Sequence, residues 1–169
     1  AESYNGHKGT DFAIRDLKAM QKGVAVLAAA SGVVRNTRNG MVDHGGADAT
    51  FLSVKGRECG NGVVIKHVGG WETQYCHLGK GSIIVKLGQR VEKGQKLGLV
   101  GYSGKTMFPH VHMSTRFNGK TVDPFIGLSP HPTCSFSNFS LWDDDLIPAL
   151  TKPLMNIFNA GFSGIVPKK

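Results

Sequence analysis

The chain has 169 residues, 40% of them hydrophobic, with 23 glycines and seven prolines, which describes one compact, turn-rich domain with appendages rather than a helical bundle or a disordered chain. Twenty basic residues against twelve acids give a formal charge of +8 and favour an anionic partner. The basic residues are dispersed (Lys8, Arg15, Lys22, Arg35, Lys55, Lys66, Lys86, Lys105) and no aromatic-basic stacking motif accompanies them, so no nucleic acid partner is expected; an anionic polymer such as a bacterial cell wall suits the charge.

In chain order, the opening AESYNG has no initiator Met and no signal-peptide core, so the sequence reads as a processed or shortened form. Next comes GHKGTD, residues 6–11. His7 and Asp11 would lie roughly 13 Å apart on a straight strand, too far to grip one ion. Gly9 supplies a bend that could reunite them. The run GVAVLAAASGVV at 23–34 falls short of the roughly 20 residues a membrane helix needs, and no transmembrane segment is expected. It reads instead as a pair of short strands flanking Ser31-Gly32.

Residues 35–60 are polar and glycine-bearing without sustained periodicity, and are expected to form a long surface excursion. GVVIKHV (62–68) and WETQYCHL (71–78) are β-branched and aromatic runs about Gly69-Gly70, a hairpin pattern. Pairing outward from that turn brings Cys59 toward Cys76, so a Cys59–Cys76 disulfide is predicted, with Cys134 left over. Beyond it, SIIVKLGQRVEKGQKLGLVGYSG places Gly88, Gly94, Gly98 and Gly101 where tight turns are expected. HVHMSTRF then turns at Asn118-Gly119 and returns as KTVDPF.

After Phe125 apolar residues recur among prolines, which predicts short helices in a C-terminal tail, with Asp143 to Asp145 as an N-terminal cap. The expected organisation is a main domain over 1–126 and an extension over 127–169 packing on it. His44, His67 and His131 read as solvated or structural.

The chemistry concentrates in three places. His110 and His112 are two apart, so on a strand they project from one face with Cα atoms about 6.5 Å apart. With His7, Asp11 and His77 they offer imidazole and carboxylate donors of the kind that suits zinc better than calcium or magnesium.

In order along the chain, the HxxxD of His7 and Asp11, the YCHL of His77 and the HxH of His110 and His112 resemble the lysostaphin-type (LytM-like) zinc metalloendopeptidases over about residues 4–126. GTDFA, GNGVVIKH, VEKGQKLGLVG and DPF match that family's usual surroundings. The resemblance implies a mainly β fold, an antiparallel sheet forming a groove and related to lipoyl-like half-barrels. It implies that His7, Asp11 and His112 bind one Zn2+ and that His77 and His110 are the catalytic pair. It also implies peptidoglycan cross-link peptides as substrate, and hence a periplasmic or cell-surface location, for a protein expected to be a monomer. Two other readings compete. GQRVEKGQKLGLVG resembles the turn-rich half of lipoyl and biotinyl carriers but presents no modified-lysine tip. A catalytically inactive relative that regulates wall amidases would be expected to have lost metal ligands, and all five polar positions are present.

Overall fold

The computed structural model describes residues 7–43, 54–128 and 140–142. The expected excursion tip, His44, His131, Cys134 and the Asp143–Asp145 cap lie outside the described residues.

Among the described residues nine strands and one α-helix follow in order: β1 (Thr10–Ala13), α1 (Leu17–Lys22), β2 (Ala25–Leu27), β3 (Gly32–Arg38), β4 (Asn61–Lys66), β5 (Trp71–Leu78), β6 (Arg90–Val91), β7 (Lys96–Leu99), β8 (His110–Phe117) and β9 (Lys120–Val122). A seven-stranded sheet runs β1-β8-β5-β4-β3-β6, with β9 paired to β8; β2 and β7 form a separate two-stranded sheet, and every pairing is antiparallel. The expected antiparallel β architecture is therefore present.

Both hairpins form where turn chemistry placed them. Gly69 and Gly70 take φ of 68° and 83° between β4 and β5, while Asn118 and Gly119 take 47° and 78° between β8 and β9. These are left-handed conformations that Gly and Asn adopt at least cost.

Three expectations need correction. The strands around Ser31-Gly32 exist but do not pair with each other: β2 pairs with β7, and β3 with β4 and β6. The 35–60 excursion begins too early, because Arg35 to Arg38 continue β3 and Asn36, Thr37 and Arg38 pair with Val64, Val63 and Gly62. Their polar side chains belong to a strand with a solvated face. Gly98 is not a turn residue but sits inside β7.

Helix α1, unforeseen in the sequence, is capped by Asp16, whose carboxylate accepts a 2.7 Å hydrogen bond from the Ala19 amide, and is ended by Gly23 at φ 85°.

One face of the large sheet is apolar. Val63, Ile65, Tyr75 and Met113 alternate inward on β4, β5 and β8 and meet Val26, Leu97 and Val100 from the small sheet and its flank. Trp142 joins this core with no exposed surface, its ring against Phe12 and Phe125. Truncating such a side chain to Ala costs about 2–5 kcal/mol. The same alternation turns Asp11, Gln74, Cys76, His112 and Ser114 to the opposite, open face.

Candidate metal centre

Strand register assembles the site. Asp11 on β1 lies opposite His112 on β8, which in turn lies opposite Cys76 on β5. The HxxxD and HxH motifs, a hundred residues apart in sequence, thus become neighbours on one face. His7 reaches the same place from the segment before β1. Its Nε2 lies 3.1 Å from Asp11 Oδ1 and 3.1 Å from His112 Nδ1, and His112 Nδ1 lies 2.7 Å from Asp11 Oδ1.

Among the described residues these three form a cluster able to hold a metal ion. A tetrahedral zinc with ligands at about 2.0–2.2 Å separates its donors by about 3.3–3.6 Å. Two edges of the observed triangle need to open by about 0.2–0.5 Å and the His112–Asp11 edge by about 0.6–0.9 Å, within reach of side-chain rotation, so donor chemistry and spacing both fit such an ion.

Gly9 occupies the bend between His7 and β1, as the sequence suggested, but the reason for glycine is space. A Cβ there would lie 2.5 Å from His112 Nε2 and 2.6 Å from the Met113 carbonyl oxygen. The His112 ring passes directly over the Gly9 backbone.

Hydrogen bonds fix the ring orientations. His112 Nε2–H donates to Ser114 Oγ at 3.1 Å, and Ser114 donates to the Lys8 carbonyl at 2.6 Å. That relay fixes the ring with Nδ1 facing Asp11 and His7. Ser114 also ties β8 to the His7 segment.

His110 donates from Nδ1 to the Phe108 carbonyl at 2.9 Å, with Thr106 Oγ1 at 3.1 Å, and its Nε2 stands 3.5 Å from Asp11 Oδ1. Phe108 stacks on its ring at 4.5 Å. His77 donates from Nδ1 to the Ser103 carbonyl at 2.8 Å. Both Nδ1 atoms are thus engaged by carbonyl oxygens, and the ring centroids are 4.7 Å apart.

His77 stands where regular alternation would not put it. Tyr75 faces the core and Cys76 the open face, so the next residue should turn inward again. Instead the β4–β5 register shifts between Asn61 and Val63, and His77 takes φ 65°, which directs its ring toward His110 and His112. A left-handed non-glycine residue costs of order 1–3 kcal/mol. The surroundings hold it there: the His77 amide donates to the Cys59 carbonyl at 2.8 Å and its carbonyl accepts from the Gly101 amide at 2.9 Å. Buried Ser103 and Asn61 brace the neighbouring Leu78 carbonyl.

The electrostatics suit a cation. Burial of Asp11 alone would raise its pKa, but hydrogen bonds and charge from His110 and His112 outweigh it and hold the carboxyl well below the usual range. Burial pushes His77 down to about 4, against the opposing effect of the Ser103 carbonyl, so the ring is neutral near pH 7. Cys59 and Cys76 are joined, with Cα atoms 4.7 Å apart, and the bridge floors the open face next to His112.

All seven residues singled out from sequence come together here. Ser114, Ser103 and Thr106 were missed, although Ser114 continues the i, i+2 spacing of His110 and His112 and so was within reach of the same reasoning. His67, read as solvated or structural, is structural: its ring bonds the Ser31 carbonyl at 2.9 Å and Thr73 Oγ1 at 2.8 Å.

Known proteins resemble this chain in sequence and fold. The peptidoglycan DD-endopeptidase ShyA of Vibrio cholerae is 38% identical over 117 residues, covering 69% of this chain and 22% of ShyA. A crystal structure of a zinc-containing peptidase from Vibrio cholerae is 31% identical with a TM-score of 0.51, covering 69% of this chain and 28% of that one. The catalytic domain of the prophage-encoded M23 protein EnpA from Enterococcus faecalis is 25% identical with a TM-score of 0.55, covering 76% of this chain and 84% of that one. The chain spans about a fifth of the length of ShyA. The family model for peptidase family M23 matches residues 5–124, and the chain belongs to that family.

Proposed function

We propose that the chain is a zinc metalloendopeptidase that hydrolyses peptide bonds in bacterial peptidoglycan cross-links, outside the cytoplasm. The observation that carries this reading is the convergence of His7 Nε2, Asp11 Oδ1 and His112 Nδ1 to within 3.1 Å of one another, with two further imidazoles beside them. The DD-endopeptidase activity in the name of ShyA supports the substrate class.

His7, Asp11 and His112 would hold the ion, Asp11 as an ionised carboxylate and both histidines through unprotonated nitrogens. A bound zinc supplies Lewis acidity that polarises a peptide carbonyl and makes hydroxide available near neutral pH. The remaining steps belong to the protein. His110 Nε2 or His77 Nε2 accepts the proton released as water oxygen bonds to the carbonyl carbon. Once protonated, that ring donates to the developing oxyanion or returns the proton to the leaving amine nitrogen as the C–N bond breaks. Burial of His77 makes its protonated form a ready donor.

The test is digestion of purified peptidoglycan by the zinc-loaded protein, read as new amino termini and by mass spectrometry of released fragments. His77→Asn tolerates the left-handed backbone better than Ala would, and should keep zinc while losing about 10²–10⁴-fold in turnover. Absence of new amino termini with wild-type protein at full zinc occupancy would overturn the reading in favour of an inactive regulator.

A further inference from the structure

The open face extends past the donor set. On the row beyond His112, Ser114, Gln74, Val64 and Asn36 follow one another across β8, β5, β4 and β3. Between these strands and the turn leading to Cys59 lies a recess of about 340 Å³, lined by Asn36, Arg38, Arg57, Glu58, Val64 and Gln74. Cys59 also lines it, and its disulfide partner Cys76 is opposite His112, so recess and donor set adjoin.

Among the described residues its lining carries the guanidinium groups of Arg38 and Arg57 and the carboxylate of Glu58. The Glu58 carboxylate is already engaged by the Gly56 amide at 2.8 Å, and Lys55 and Lys105 add to the field that keeps it ionised. Gln74, a neutral wall of the recess, accepts from Arg116 and donates to Cys59 Sγ. Arg38 is exposed and hydrogen-bonded through Nη1 to the Gly60 carbonyl at 3.1 Å. A guanidinium has five N–H donors in a fork that matches a carboxylate. Arg38 brings this fork to the wall of the recess.

We propose that this recess is a carboxylate-binding subsite for the substrate peptide, with Arg38 as its principal cation. The proposal rests on the peptidase reading above. Arg38 on β3 is three strand spacings from His112 on β8, about 14 Å. Four extended residues span that distance at about 3.5 Å each. The carboxylate it takes is therefore about four residues along the substrate from the cleaved bond, either on a side chain or at a chain end. Ordinary ligand pockets begin at about 300 Å³, so the recess has room for a whole acidic side chain rather than a bare ion.

Three synthetic cross-linked peptides of one sequence test this: all carboxylates free, the side-chain carboxylate amidated, and the terminal carboxylate amidated. With zinc-loaded wild-type protein, one amidation should lower kcat/KM about tenfold, between the few-fold worth of an exposed ion pair and the hundredfold of a desolvated one, and mainly through KM. Which amidation matters identifies the source of the carboxylate. R38Q should bring the ratio between free and amidated peptide near one, and R38K, keeping charge without the fork, should retain part of it. Equal handling of all three peptides by wild type, or an unchanged ratio in R38Q, would overturn the subsite. Should no peptide be cleaved, the peptidase reading fails by itself, and calorimetric binding of free and amidated peptides to wild type and R38Q still decides the subsite: equal affinities refute it.

Discussion

Replacing Gly9 with Ala disturbs the proposed metal centre without removing a donor atom. The new Cβ would lie 2.5 Å from His112 Nε2, 2.6 Å from its Cε1 and 2.6 Å from the Met113 carbonyl oxygen, all closer than Cβ contacts occur. The imidazole could swing aside, but the Met113 carbonyl belongs to the backbone of β8 opposite Thr10 and cannot. Either the bend lifts off β8 or the ring leaves Ser114. The first separates His7 from His112; the second releases the His112 tautomer. Overpacking of this kind costs about 1–3 kcal/mol, and a lost second-layer hydrogen bond costs about 10–100-fold in metal affinity. Gly40→Ala is the control, because nothing lies within 4 Å of a Cβ there. Urea unfolding of the metal-free proteins and zinc titration against a competing chelator give both quantities. Gly9→Ala behaving like Gly40→Ala in both assays would refute the claim that the chain's approach at Gly9 shapes the donor set.

Further outcomes follow from the same geometry. Ser114→Ala should weaken zinc binding about 10–100-fold in the chelator titration while leaving the donors in place; unchanged affinity would show that the Ser114 relay does not orient His112. Cys76→Ser removes a bridge closing 17 residues of separation and should cost about 3 kcal/mol in urea unfolding; a change below about 1 kcal/mol would contradict this. His67 is held neutral by burial, which pushes its pKa below 6.5 against the Ser31 carbonyl and Glu72, so its contribution is fully present above pH 6.5 and is lost as pH falls through the lowered value. Unfolding curves at pH 7.5 and 5 should therefore show a smaller loss for His67→Gln than for wild type, and equal losses would remove His67 from the pH response.

Much of the site was legible because it rests on short-range rules. The two-residue period of a strand places His110 and His112 together whatever the sheet does, and it would have added Ser114. Gly69-Gly70 sets the hairpin that carries Cys76 to Cys59. The position of His77 was legible only through the family resemblance, since strand alternation by itself turns it to the core beside Tyr75. What redirects it is a bulge opposite Gly62 and a left-handed backbone that nothing in YCHL announces. The partner of β2 was equally hidden, because pairing with β7 depends on which distant edge the small sheet meets rather than on the turn at Ser31-Gly32. Arg35 to Arg38 looked like loop because a strand with a solvated face can be as polar as a loop.

The account stands most directly on zinc titration of the purified chain with separate replacements of donors and non-donors. Wild type and His77→Asn should each bind one zinc per chain, whereas His7→Ala, Asp11→Ala and His112→Ala should each lose it. Stoichiometric zinc in His112→Ala, or none in wild type, would contradict the claim that His7, Asp11 and His112 hold the ion.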